Sequence, residues 1–105
     1  MTRGEIYRVR LPARRGREQA GRRYGVIVQA DELLGLPTVV VAPTSRSAAA
    51  ATFRPEIQLA GEETRVLVEQ VRAVDVERLG DLVGRLTAVE QRAVDDALVL
   101  VLDLA

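Results

Sequence analysis

The chain has 105 residues, 48% of them hydrophobic and 29% charged, and its 15 basic and 15 acidic side chains cancel to zero net charge. That length and balance suit one folded domain spanning residues 1–105, with no tract polar or repetitive enough to predict disorder. Cysteine and histidine are both missing, which excludes disulfides, thiolate nucleophiles, Cys/His zinc sites and imidazole acid–base catalysis.

The chain opens MTRGE, without the charged-then-apolar pattern of a secretory signal. No apolar run approaches the ~18 residues of a membrane span, so a cytoplasmic protein off the membrane is expected. Residues 4–12, GEIYRVRLP, set Tyr7, Val9 and Leu11 against Arg8 and Arg10. This alternation predicts a half-buried strand ended by Pro12. Residues 13–23 follow with two glycines and no apolar side chain larger than alanine, the composition of a loop.

That loop is where the charge gathers. Every basic residue of the chain is an arginine; residues 1–54 hold ten of them with four acids, residues 55–105 five with eleven acids. Interleaving of the two halves on folding would mix those charges, but RRGREQAGRR, residues 14–23, packs five arginines and one glutamate together. A stretch so dense is not neutralised by its own neighbours. Guanidinium stays charged at any accessible pH and offers a planar fork of donors that matches phosphate, so the loop is read as a phosphate receiver.

YGVIVQA, residues 24–30, is a β-branched apolar run that predicts an interior strand. DELLGLP makes a turn or a short helical turn, and TVVVAPTS, residues 38–45, is a third strand closing at Pro43. RSAAAATF is weakly patterned and fits a loop or a short helical piece. PEIQL, residues 55–59, alternates as a strand, AGEET turns, and RVLVEQVRAV, residues 65–74, is strand-like with a kink near Glu69 and Gln70. DVERLGD predicts one helical turn ended by Gly80, and LVGRLT, residues 82–87, a last short strand.

Thr87 with Glu90 forms a capping-box pattern, and Val89, Ala93, Val94, Ala97, Leu98, Val101 and Leu102 recur at helical spacing. They predict a helix over 88–103 whose apolar face meets the core or a dimer partner. Five or six short strands and one C-terminal helix make the class mainly β with α (α+β), a small curved antiparallel sheet or partial barrel.

Several segments in order, RGEIYRVRL, GREQAGRRYGVIVQAD, VVVAPTS, VLVEQVRAVDVERLG and VGRLTAVEQRAVDDALVLVLDL, resemble the MazF/PemK toxins of bacterial toxin–antitoxin pairs over nearly the whole chain. The resemblance implies an SH3-like partial barrel forming a homodimer. It also implies an mRNA interferase, an endoribonuclease that cuts single-stranded RNA without a metal or other cofactor and is neutralised by a cognate MazE-like antitoxin. In the family's GSEQ-G-x-RP pattern the arginine falls on Arg23, and the threonine after the third strand falls on Thr44; these are the implied catalytic pair. Glu18, Gln19 and Ser45 match positions near the RNA groove, and Gln70 is a further candidate there, although with Glu69 it could only close a turn. Arg14, Arg15, Arg17 and Arg22 are candidates for RNA steering. Two departures stand out: Tyr24 replaces the usual proline after the arginine, and Arg17 replaces the serine after Gly16.

RNA carries its own nucleophile in the 2′-hydroxyl, so histidine is dispensable if the protein orients the backbone and stabilises charge. A guanidinium aimed at a phosphorane can supply that stabilisation, and Arg23 is a plausible donor. Arginine is a poor base; Thr44 is a candidate to bond the phosphate or the attacking hydroxyl, and Glu18 is the nearest carboxylate in sequence. Alone, an arginine before a strand is usually a solvated charge, and a Thr-Ser pair after a proline is usually turn chemistry. The family pattern is what reverses that reading. The competing class is a non-catalytic toxin of the same fold, CcdB-like, that binds a protein target such as gyrase; Tyr24 is the feature that favours it.

Overall fold

The alternation of residues 4–12 is realised in strand β1 (Glu5–Leu11), where Ile6, Val9 and Leu11 are buried while Arg8 and Arg10 stand in solvent. The structure, a computed structural model, describes residues 1–13 and 15–104. Strand β2 (Gly21–Ile27) pairs antiparallel with β1 from Leu11↔Gly21 to Ile6↔Val26. It therefore starts at Gly21 rather than Tyr24, and Arg22 and Arg23 lie on the strand instead of in the loop. Backbone pairing asks nothing of the side chains, so exposed arginines extend a strand without leaving an apolar signal.

Five more strands follow: β3 (Thr38–Ser45), β4 (Glu56–Leu59), β5 (Glu62–Val66), β6 (Arg72–Asp75) and β7 (Leu79–Arg85), then helix α1 (Ala88–Leu102). The sheet is antiparallel and curled, in the order β4-β5-β3-β2-β1-β7, with β6 also pairing with β3. Seven strands thus replace the five or six expected. The turn expected over AGEET contracts to Ala60 and Gly61, both at positive φ (53° and 80°), so Glu62 already pairs with Leu59. Residues 46–55 form a loop, one of the two forms expected. The turn expected over DVERLGD ends earlier, as a 3₁₀ turn Val76–Arg78, and β7 passes through Gly80.

The kink near Glu69 and Gln70 is a 3₁₀ turn, Val68–Gln70, that splits β5 from β6. Its cause lies across the ladder. The Pro43 carbonyl accepts from the Leu67 amide at 2.8 Å, and in an antiparallel strand a residue's N–H points the same way as its C=O. Proline has no N–H, so β3 lacks a donor on the edge where the facing chain lifts away. β3 nevertheless runs on past Pro43, because Thr44 and Ser45 pair with Val66 and Arg65.

Successive residues feed opposite clusters. Ile6, Val26, Val28, Ala42, Ile57, Val66 and Val68 pack with Val94 and Ala97 of α1, whereas Val9, Leu11, Ile27, Val39, Val41 and Val74 form a second cluster. Both faces of the central strands are therefore covered, which is why they read as continuous apolar runs. Gly25 sits where they crowd: a Cβ there would lie 3.1 Å from Val9 Cγ1. The Thr87/Glu90 capping box is present and satisfies the helix start, a feature typically worth ~1 kcal/mol. Val89 and Leu102, expected on the buried face, are exposed at the helix ends.

Glu5, buried at the head of β1, accepts from the Thr2 amide at 2.6 Å, the Tyr7 hydroxyl at 3.0 Å and Arg85 at 2.9 Å. Burial pushes its carboxyl pKa up, but the Tyr7 and Thr2 hydrogen bonds, the N-terminal charge and Arg85 together hold it below the usual value. The Tyr7 hydroxyl is raised, by burial first and then by donating to Glu5.

Candidate functional site

A cleft of about 1250 Å³ opens over the β1–β2 hairpin and the end of β3. Six arginines line it, Arg8, Arg10, Arg22, Arg23, Arg46 and Arg78, against three carboxylates, Glu62, Asp75 and Glu77. Arg46 is matched by an ion pair with Glu62, while the other five make none among the described residues. The surplus is positive, and low-dielectric walls focus such a field on an incoming anion.

Arg23 stands opposite Val9 near the start of β2, and its side chain is exposed. Its Nε donates to Gln19 Oε1 at 2.7 Å, and one terminal nitrogen lies 3.5 Å from the Arg22 carbonyl. The remaining donors of the guanidinium are open to a ligand. Tyr24, the departure from the usual proline, leaves the strand regular: it is opposite Arg8, whose guanidinium stacks 5.5 Å from the centre of its ring.

Thr44 lines the same cleft and is only 4% exposed. Its hydroxyl donates to the Tyr24 carbonyl at 3.0 Å, one residue from Arg23. That bond ties the two strands together and decides the polarity of the site. With its proton given to Tyr24, Thr44 Oγ1 retains lone pairs only, so it can accept from a hydroxyl but has no proton for a phosphate oxygen. Of the two roles left open by the residues alone, orienting a hydroxyl is the one the geometry serves.

The other candidates divide. Ser45 and Arg22 line the cleft, and Gln19 lines both the cleft and a smaller neighbouring hollow of about 400 Å³. Glu18, Glu69 and Gln70 line the hollow and not the cleft that holds Thr44. Gln70, a candidate for the groove with turn closure as the alternative, ends a 3₁₀ turn, and its amide is turned to the loop backbone: it accepts from the Gln19 N–H at 2.8 Å and reaches the Arg17 carbonyl at 3.5 Å. Arg15 and Arg17 are exposed on the loop and line neither cavity; Arg14 lies outside the described residues. Among the described residues no three His, Cys, Asp or Glu side chains converge as a metal-binding set, and no helix is long and apolar enough to cross a membrane.

With this geometry in view, a sequence profile described as PemK-like, MazF-like toxin of type II toxin–antitoxin systems matches residues 2–102. The chain belongs to that toxin family. Endoribonuclease MazF9 of Mycobacterium tuberculosis is 34% identical over 116 residues, covering 99% of this chain and 98% of that protein. A second M. tuberculosis protein, assigned as a toxin, is 45% identical over 75 residues, or 70% of each chain. Among solved structures, an endoribonuclease in complex with its cognate antitoxin, from a mycobacterial species, superposes with a TM-score of 0.84 at 19% identity, covering 100% of this chain and 97% of that one.

For this PemK/MazF-family chain, sequence reasoning missed Arg8, Arg10, Arg46 and Arg78 as cleft residues. Arg8 and Arg10 had a signal, since they alternate out of β1 on the side of Tyr24 and Arg22 in the ladder. Arg46 and Arg78 had none, because only the curl of the sheet brings positions so distant in the chain to one cleft.

Proposed function

We propose that residues 1–105 act as one toxin domain, a cytoplasmic homodimeric endoribonuclease that cuts single-stranded RNA and is held inactive by a cognate antitoxin. The observation that carries this reading is an exposed Arg23, without a carboxylate partner among the described residues, in one basic cleft with the acceptor oxygen of Thr44. The kinship with an endoribonuclease over the full chain supports the reaction class, and the structural likeness to an antitoxin-bound enzyme supports the mode of control.

In this mechanism the 2′-oxygen of the ribose attacks the adjacent phosphorus and the bond to the 5′-oxygen breaks. A 2′,3′-cyclic phosphate and a 5′-hydroxyl result, and the proton lost by the 2′-hydroxyl is balanced by one gained at the leaving oxygen. Thr44 Oγ1 accepts from the 2′-hydroxyl and aims it. Arg23 places its terminal N–H groups on the non-bridging oxygens, where charge grows in the five-coordinate state, and also donates to the departing oxygen. Arg22 and Ser45 hold the flanking backbone; Arg14, Arg15 and Arg17 add long-range attraction from the loop. Because the nucleophile belongs to the substrate, no activated water is required.

Purified protein should cut single-stranded RNA in EDTA and leave 5′ ends that accept phosphate from a kinase without prior dephosphorylation. Complete dependence on added metal, or 5′-phosphate ends, would contradict the scheme.

A further inference from the structure

Gln70 ends the 3₁₀ turn Val68–Gln70, whose Val68 is fully buried and whose approach is hooked to β3 by the Leu67–Pro43 hydrogen bond. From that anchored place its amide grips the arginine-rich loop at the Gln19 N–H and near the Arg17 carbonyl. Among the described residues, these are the hydrogen bonds that join residues 15–20 to any part of the chain outside the β1–β2 hairpin. Gln19 passes the constraint on, since its side-chain oxygen accepts the Arg23 Nε–H at 2.7 Å.

An exposed arginine with no carboxylate partner samples many rotamers, and each disordered rotamer is one the reaction must exclude. Here Nε is already spoken for, so the terminal nitrogens are the edge offered to a ligand. The frame is shared as well: the residue whose carbonyl holds Leu67 is Pro43, the neighbour of Thr44. Beyond the β2–β3 backbone ladder, two side chains tie the hairpin that carries Arg23 to the β3 side, Thr44 on the Tyr24 carbonyl and Gln70 on the Gln19 amide.

We infer that Gln70 is a positioning residue: it holds the loop so that Gln19 presents the terminal nitrogens of Arg23 to the cleft in fixed relation to Thr44. The inference rests on the nuclease reading for its effect on rate, but not for its geometry. It moves Gln19 and Gln70 from contacts with RNA to a relay behind Arg23.

The test compares Gln70→Leu, which removes both hydrogen bonds, with Gln70→Glu, which keeps an acceptor for the Gln19 amide. Gln70→Leu should lower the single-turnover rate at saturating RNA by roughly 10- to 100-fold, the scale of a small misplacement of a catalytic group. The RNA concentration giving half that rate should move less than about threefold, as expected when ground-state binding is untouched. Gln70→Glu should recover most of the lost rate. Gln19→Leu should lose as much as Gln70→Leu, and the double variant little more, because links of one chain are not additive.

One readout needs no RNA. In Gln70→Leu the Gln19 amide and the Arg23 Nε–H should exchange faster with solvent by NMR while the thermal midpoint stays in place. A raised half-saturating RNA concentration at unchanged saturating rate, additive losses, or unaltered exchange at both groups would each overturn the relay. If the unmodified protein leaves RNA intact, the nuclease reading falls, and the exchange measurement still decides whether Gln70 orders Arg23.

Discussion

The β1–β2 hairpin carries Arg8, Arg10, Arg15, Arg17, Arg22 and Arg23, and none of the six makes an ion pair among the described residues. Around the β4–β5 hairpin, by contrast, Arg46, Arg54 and Arg65 are matched one to one with Glu62, Glu69 and Glu56. The side chain is the same in both places and the neighbours differ. Where carboxylates face the arginines, the charge is spent on holding loop and strand together. Where they do not, like charges sit side by side on adjacent strands, Arg10 directly opposite Arg22, a pairing that costs stability. An anion bound between them would relieve that repulsion.

The sharpest way to break this contrast is a crossed pair of substitutions. Arg23→Ala should lower cleavage by roughly 10²- to 10³-fold, the loss of one preorganised donor. Its stability should stay within about 0.5 kcal/mol of the parent, as for exposed sites without a buried partner. Arg54→Ala should do the reverse. Its guanidinium bonds Glu69 at 2.6 and 2.7 Å, and the other oxygen of Glu69 is already buried without a partner. Removing the arginine strands that carboxylate at a cost of about 1–3 kcal/mol in urea unfolding, with cleavage by the folded fraction little altered. Equal toxicity of the parent and Arg23→Ala in cells would favour the binding-module reading instead.

The same contrast marks how far the sequence could be read. The arginine loop, the capped terminal helix and the strand over residues 4–12 were legible because each leaves a local signal: charge density, a cap with helical spacing, or alternation. The start of β2 was not, because Gly21, Arg22 and Arg23 extend it by backbone pairing alone. The split between β5 and β6 was half legible: the alternation faltered at Glu69 and Gln70, but its cause, the missing amide of Pro43, sits on another strand. Arg23 and Thr44, singled out by the family pattern, do line one cleft. That Thr44 would give its proton to Tyr24, and that Gln70 would face the loop, depends on hydrogen bonds between residues 20 and 51 positions apart, which no local pattern encodes.

A smaller effect is expected from charge alone. If the unpaired arginines of β1 and β2 hold RNA backbone, binding should weaken steeply with salt, and Arg10→Ala should flatten the log–log slope by about 0.7 per phosphate released. Arg65→Ala, whose charge is already matched by Glu56 at 2.8 Å, should leave the slope where it was. A salt dependence indifferent to Arg10, or equally sensitive to Arg65, would erase the distinction between the two hairpins.

The smallest effect tests the one place where the two regimes touch. Arg46 lines the cleft with the unpaired arginines yet is bridged to Glu62, and both side chains are more than half exposed, at 68% and 59%. A pair so open contributes at most about 1 kcal/mol to folding, so Glu62→Gln should scarcely change the unfolding midpoint. Its consequence lies in the cleft. Without the carboxylate, Arg46 is released to the RNA backbone and one negative charge leaves the wall, so affinity for single-stranded RNA should rise a few-fold at low salt and converge with the parent as salt screens the gain. Weaker binding by Glu62→Gln would mean that Glu62 itself meets the RNA, and Arg46 would then belong with the structural arginines of the β4–β5 hairpin rather than with the cleft.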